Sequence, residues 1–328
     1  MRIAIVGCGW TGSMLANRLT EYGNVDVYEI SRRPKVVCGQ GIPTKEFEKI
    51  CEKHGLHPED YILWRGKRCY MKTNYVRSFP ITNLCTFDKQ RLIDDLIKTS
   101  SANFHFAERL VHKEKYDLIV DATGKRAILG KTGKERIIPC VQYNVKFDEM
   151  PLNDFYVDMT RIKAYGWLWF FPLGENVANV GSSALNGAAA KEQVESFLKR
   201  HLGEILGKMG KPVRMASPKD SLPFTKNDNR IVGCGESIGT ISYNAEGNEP
   251  CAKCVDILIE RIHDLENYKA HVLREFKNLE SEHKFIRAVI KGNSLQALRY
   301  RSGLADGMKK IGLKVSLTEM VQLFLGLC

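Results

Sequence analysis

The chain has 328 residues, 44% hydrophobic and 27% charged, the balance of an ordinary globular protein and enough for two domains or one large one with insertions. No apolar run reaches the roughly 18 residues of a membrane-spanning helix and no cleavable leader precedes the first apolar stretch, so a cytoplasmic protein is expected. Ten cysteines without framework spacing point to reduced thiols, and a net charge of +11 favours an anionic partner: an acidic protein, a phospholipid surface, a phosphorylated ligand or nucleic acid.

Arg2 to Val6 reads as a short buried strand, and Ser13 to Tyr22 as a helix with Met14, Leu15, Leu19 and Tyr22 on one side. Between them Gly7, Gly9 and Gly12 have the GxGxxG spacing. The first glycine allows a tight turn, the second lets a pyrophosphate approach the backbone, and the third lets helix and strand pack closely. The anion then sits on free helix N–H groups at the positive end of the dipole. A second strand, Val25 to Ile30, carries Glu29 twenty residues after Gly9, placed to accept hydrogen bonds from ribose hydroxyls. Strand, glycine turn, helix, strand and acid within thirty residues define a dinucleotide site. They leave NAD and FAD open, and the Arg32–Arg33 pair that follows suits a phosphorylated nicotinamide cofactor as well.

A second glycine loop follows at 38–41, where Gly39 and Gly41 flank Gln40 just after Cys38. A helix is expected near 44–55 and another in 87–100, where Leu92, Ile93, Leu96 and Ile97 recur at helical spacing. Leu118 to Val120 reads as a strand closing on Asp-Ala-Thr-Gly, a small-residue turn at the position where open parallel sheets bind ligands. From about 137 to 185 strands alternate with turn signals, which predicts an antiparallel sheet, and 189–210 reads as a helix crossing over it. Residues 229–254 return to a strand, glycines and a helix, and the rest is mostly helical. Cys251 and Cys254 form a lone CxxC pair whose spacing makes no zinc site, and the histidines make no cluster, so no metal is expected. No nucleic-acid recognition motif accompanies the basic charge.

In this order the motifs resemble the geranylgeranyl reductase family of flavoproteins, archaeal membrane-lipid prenyl reductases in particular, within the hydroxylase-like FAD fold. VGCGWTG with Glu29, VVCGQGIP, DKQRLIDDL, DATG at 121–124, WLWFFPLGENVANVG at 167–181 and VGCGESIGTISYNAEGN carry the resemblance. The Trp-x-Phe-Pro element with a glycine nine residues after its proline is the most family-specific of them. The chain departs from the family at four of these positions. Trp167 stands for the usual Tyr, Lys89 for Arg, Glu236 for Asp and Asn248 for an apolar residue, and the segment 104–116 is shorter. Lys for Arg and Glu for Asp keep the charge.

The resemblance implies an α/β fold: a three-layer, Rossmann-like FAD-binding domain of the hydroxylase type, built from 1–135 and 223–270. An antiparallel substrate sheet over 136–222 and a helical C-terminal segment over 271–328 complete it. FAD would be held by Gly7, Gly9, Gly12, Glu29, Cys38, Gly39, Gly41 and Lys89, by backbone near Val111 at the adenine, and by Glu236 on the ribityl chain. Gly247 and Asn248 would start a helix aimed at the flavin N1–C2=O edge, where reduction accumulates negative charge. Cys38 would lie beside the flavin as a neutral thiol that shapes the pocket or relays a proton. Trp167, Trp169 and Phe171, on one face of their strand by alternation, would wall an apolar channel, with Phe170 on the other face.

The expected activity is reduction of C=C bonds in polyprenyl chains by hydride from reduced FAD. The alternatives are a monooxygenase of the same fold and a non-catalytic flavin- or lipid-binding protein. No second GxGxxG unit is present for a resident nicotinamide, so a transient donor is expected, a ferredoxin-like protein or NAD(P)H. The basic surface suits such an acidic donor, or the headgroups of a membrane to which the protein binds peripherally. The tail, apolar at Val315, Leu317, Met320, Val321, Phe324, Leu325 and Leu327, would dock on membrane, close over the channel, or pack as core.

Overall fold

The computed structural model describes residues 1–161, 166–242, 246–314 and 319. In chain order the N-terminal region holds β1 (Arg2–Val6), α1 (Trp10–Leu19), β2 (Asn24–Glu29), β3 (Gly41–Ile42), α2 (Thr44–Lys53) and β4 (Ile62–Arg65). It continues with β5 (Arg68–Lys72), β6 (Val76–Pro80), β7 (Cys85–Phe87), α3 (Lys89–Thr99), β8 (Asn103–Phe106) and β9 (Leu118–Asp121). Then come β10 (Arg136–Lys146), β11 (Phe155–Asp158), β12 (Trp167–Pro172), β13 (Val177–Ser183), α4 (Gly187–Arg200) and β14 (Glu204–Met215). The chain returns through β15 (Thr225–Lys226), β16 (Ile231–Gly233) and α5 (Asn248–Glu260). It closes on α6 (Leu265–Glu275), α7 (Lys277–Ile290), α8 (Ser294–Arg299) and α9 (Arg301–Lys310).

A six-stranded sheet, in the order β15-β16-β9-β1-β2-β8, is parallel except at the β15 edge. Between Arg2 at the start of β1 and Asp121 at the end of β9 its central strands are apolar, as burial on both faces demands: Ile3, Ala4 and Ile5 are sealed, and Leu118 to Val120 nearly so. α1 packs on this sheet and against α3 and α5, so the return after residue 223 completes the core begun by residue 2. A small sheet, β3-β7-β4, lies beside it. Between β8 and β9, in the segment that is short in sequence, only a single 3-10 turn forms, at Lys113–Lys115.

The second large sheet has seven strands, in the order β14-β10-β13-β12-β11-β5-β6. Two expectations are corrected here. The hairpin at 68–80, assigned by sequence to the nucleotide region, joins this sheet through a parallel pairing of β5 with β11. That pairing spans more than eighty residues and leaves no local signature. The helix expected over 189–210 stops at Arg200, and Glu204–Met215 is a strand. Gly207, Gly210 and Pro212 disfavour helix, and pairing with β10 along its whole length supplies the alternative.

Alternation divides β12 between two cores. Leu168 and Phe170 face α4, packing with Val194 and Phe197. Trp167 and Trp169 face the opposite way, into a core shared with Phe285, Ile286 and Val289 of α7 and Met308 of α9. The C-terminal helices therefore cover the tryptophan face of the sheet. Among the described residues no helix is long and apolar enough to cross a membrane. The apolar tail positions Val315, Leu317, Met320, Val321, Phe324, Leu325 and Leu327 lie outside the described residues.

Candidate functional site

Three strand ends build a crevice. Val6, Asp121 and Gly233 lie in one register row across β1, β9 and β16, so the loops that follow meet at the carboxyl edge of the sheet, where open α/β sheets bind ligands. Glycines let these loops touch. A Cβ on Gly7 would lie 2.7 Å from the Ala122 carbonyl oxygen, and one on Gly12 only 1.8 Å from that of Gly7. One on Gly235 would lie 2.4 Å from Thr11 Oγ1, and one on Gly124 would lie 2.6 Å from the Glu236 carboxylate. Gly9 differs: a Cβ there would meet nothing within 4 Å. Gly9 is also the N-cap of α1, and no side chain caps that helix. Open space and uncapped N–H groups coincide, which is what a pyrophosphate needs.

Glu29 ends β2 beside this space. One carboxylate oxygen accepts the Cys8 N–H at 3.0 Å and the other the Ser31 N–H at 2.9 Å. Each oxygen keeps a lone pair for a diol. Val111, whose backbone the resemblance sets at the adenine, is 73% exposed in the segment after β8.

The other half of the site is assembled from distant stretches, with Asn248 at its centre. The Asn248 Oδ1 accepts from Lys89 Nζ at 2.5 Å, its Nδ2 donates to the Gly41 carbonyl at 2.8 Å, and its own carbonyl accepts the Trp10 indole N–H at 2.8 Å. The same Nδ2 lies 3.5 Å from Cys38 Sγ, which also accepts the Gln40 N–H at 3.3 Å. Lys89, the first residue of α3, is buried, with its ammonium 5.1 Å from the centre of the Trp10 ring. Its partners are an amide oxygen and an aromatic face rather than a carboxylate, which leaves a buried positive charge suited to an anion.

The loop at 38–41 rests on β12. A Cβ on Gly39 would lie 3.0 Å from the Phe171 ring and 3.1 Å from the Trp169 indole nitrogen, and one on Gly41 would lie 3.2 Å from Phe171. Trp169 is fixed from behind: its N–H donates to Asn179 Oδ1 at 2.7 Å, and Asn179 donates to Asn144 at 2.8 Å. The glycine nine residues after Pro172 is Gly181, paired with Trp169 across the sheet. A Cβ on it would sit 2.0 Å from the indole, so that spacing encodes a seat for a tryptophan. Trp167 shares this face but is sealed in the core with α7.

Glu236 sits in a 3-10 turn, Gly235–Ile238, beside Gly124. Its main-chain oxygen accepts from Arg214 at 3.2 Å, and Arg126 holds the next carbonyl, of Ser237, at 3.1 Å. Gly247 caps α5 just before Asn248. Glu246 accepts the Glu249 N–H at 3.1 Å, and burial with Glu249 nearby pushes its carboxyl up to about 7. Cys254 contacts Cys234, sulfur to sulfur 3.6 Å, while Cys251 lies against the Thr240 carbonyl at 3.4 Å. The CxxC thiols thus have separate partners. Among the described residues no group of three His, Cys, Asp or Glu is arranged to hold a metal.

Sequence reasoning missed Trp10, Gln40, Gln142, Lys211 and Arg214. Trp10 and Gln40 stand inside the glycine motifs, at positions whose residue type the glycine spacing leaves free. Gln142, which donates to the Cys38 carbonyl at 3.2 Å, and the two β14 residues have no local signature.

The α/β architecture, with a parallel nucleotide-type sheet beside a largely antiparallel one, is the fold of hydroxylase-type flavoproteins. Over its full length the chain superposes on a geranylgeranyl bacteriochlorophyll reductase-like protein from Thermoplasma acidophilum, with TM-score 0.69, 15% identity and 99% of that chain covered. A probable FAD-dependent monooxygenase from Pseudomonas aeruginosa matches 93% of this chain and 99% of its own, with TM-score 0.64 and 17% identity. In sequence the chain is similar to digeranylgeranylglycerophospholipid reductase 1 of Methanopyrus kandleri, 24% identical over 65% of this chain and 66% of that protein. No protein-family model matches.

Proposed function

We propose that the chain is an FAD-dependent oxidoreductase that reduces C=C bonds of polyprenyl chains. The observation that carries this reading is the loop Cys38–Gly41, tied to Lys89 and Asn248 on its polar side and laid on Trp169 and Phe171 on its apolar side. A redox ring seated there would have charge-bearing partners at one edge and an apolar floor for a hydrocarbon. The names of the archaeal and Thermoplasma relatives support the substrate class.

Bound and reduced, the cofactor would supply the hydride. The chain's own residues do the rest. Glu29 takes the ribose diol, the first-turn N–H groups of α1 take the pyrophosphate, and Glu236 takes ribityl hydroxyls. Lys89 and the start of α5 stabilise negative charge at the ring. Cys38 and Glu246 are the groups near Asn248 that would relay a proton, and burial of Trp167 and Trp169 excludes water. Trp169 and Phe171 would shape the apolar channel, whose hydrocarbon burial is worth about 25 cal/mol per Å². The electron donor would be an acidic ferredoxin-like protein or NAD(P)H, and the basic surface would meet anionic lipid headgroups.

Mass spectrometry of what copurifies, followed by anaerobic chemical reduction and addition of a C20 prenyl lipid, tests the reading. Flavin in the protein and a product heavier by two hydrogens per bond support it. Oxygen-dependent addition of one oxygen atom to an aromatic substrate would replace it with the monooxygenase. A colourless protein that takes up no added FAD would end it.

A further inference from the structure

The seven-stranded sheet sends one cation to the Glu236 carboxylate. Lys211 lies on β14 opposite Cys140 of β10, and its ammonium stands 3.5 Å from Glu236 Oε2. Three residues on, Arg214 holds the main-chain oxygen of the same Glu236. β14 therefore grips the 235–238 turn twice, once through its backbone and once through its acid. Among the described residues no other cation forms an ion pair with that acid.

The position of the pair is set by its neighbours. Glu236 Oε2 is the atom that would clash with a Cβ on Gly124, and Gly235 touches Thr11 in the first turn of α1. On its other side Lys211 lies two residues along β14 from Met209, whose sulfur is 4.0 Å from Gln142 Nε2, and Gln142 donates to the Cys38 carbonyl of the 38–41 loop at 3.2 Å. It thus stands between the crevice at the strand ends and the loop seated on Trp169. The Lys211 side chain is 36% exposed, so it is not sealed behind Glu236 as a buried strut would be. Glu236 beside it holds the ammonium above the usual lysine range, so the charge persists.

We propose that Lys211 is a cofactor-site residue supplied by the substrate sheet, a fixed cation that stabilises the reduced, anionic form of the flavin over the oxidised form. The inference rests on the FAD reading above but not on the identity of the substrate. Its physical basis is that a positive charge held at a partly desolvated edge favours whichever redox state carries more negative charge. Glu236 has two tasks in this arrangement: it accepts from the ribityl chain and it orients the ammonium.

The test is a redox titration of the flavin-loaded protein against dyes, with no prenyl substrate present. Lys211→Met should weaken binding of reduced relative to oxidised flavin about tenfold, a fall of about 30 mV for a two-electron couple. Lys211→Arg should stay within about twofold of the parent. Glu236→Gln added to Lys211→Met should restore part of the loss, because the carboxylate left unpaired by the first substitution itself opposes negative charge on the flavin. A Lys211→Met protein that folds, retains flavin and titrates within twofold of the parent overturns the proposal while leaving the FAD reading intact. A parent that takes up no FAD overturns both. If the Met variant does not fold, Lys211→Gln replaces it under the same criteria.

Discussion

The two ends of the proposed cofactor site are built in opposite ways. At the nucleotide end most of the parts lie within thirty residues, with Ala122 against Gly7 and Gly235 against Thr11 added from afar. Gly7, Gly9, Gly12 and Glu29 follow one another along a single strand–helix–strand unit, and Glu29 is held by adjacent backbone N–H groups. At the ring end Trp10, the 38–41 loop, Lys89, Phe171 and Asn248 come from five stretches, and the Trp10–Asn248 hydrogen bond joins residues 238 apart. The nucleotide end is therefore specified by local sterics, and the ring end by tertiary contacts that form only once both sheets and α5 are in place. The contrast teaches that the same cofactor is to be gripped by a rigid backbone turn at one end and by exchangeable side chains at the other.

Glycine substitutions should give the largest effects and sharpen the contrast. Gly12→Ala forces a methyl to within 1.8 Å of backbone and should cost about 3 kcal/mol or more in chemical denaturation. Gly9→Ala meets nothing and should change stability by less than about 1 kcal/mol while weakening FAD retention. Equal melting of the two variants would show that the space before α1 is not open. At the ring end, Gly181→Ala should displace Trp169 at a similar cost, visible as a shift in tryptophan emission.

Acid should act on the ring end through its helical cover. His283 of α7 lies 2.9 Å from the Ile241 carbonyl, and burial pushes its imidazole down to about 4. Above pH 6.5 it is neutral folded or unfolded, and its contribution is complete. As pH falls toward 4 the unfolded chain binds a proton that the folded chain refuses, so stability drops by up to roughly 3 kcal/mol. Urea melts at pH 7 and 4.5 should show a smaller loss in His283→Gln than in the parent. An identical loss would remove His283 from the account.

Smaller losses should separate binding from chemistry. Glu29→Ala removes a charged acceptor and should weaken FAD by roughly 1–3 kcal/mol with little change in the turnover of enzyme kept saturated with cofactor. Lys89→Met should weaken FAD by a comparable factor and also slow turnover at saturation. If gel filtration shows that the Glu29 variant keeps its flavin as the parent does, the ribose assignment fails. The smallest effect is expected for Trp167→Tyr. That side chain is buried in the core that includes α7 residues; tyrosine keeps an aromatic ring there but is smaller than the indole, so the exchange should cost about 1–2 kcal/mol of stability and leave prenyl-chain turnover within a few-fold, the smallest change of activity in the set.

By itself the sequence determined the elements whose cause is local. The glycine spacing, the acid closing β2, the alternation along β12 and the helix start at Gly247–Asn248 follow from steric limits and period-two or 3.6-residue patterns that a short window contains. Tertiary structure decided the rest. It recruited the hairpin at 68–80 into the second sheet, made 204–215 a strand, buried Lys89 against Trp10 and Asn248, and brought Lys211 to Glu236. These depend on pairings between residues far apart in the chain. Strand partners and buried charges are chosen by what is left unsatisfied when distant segments meet, and no window of sequence carries that information.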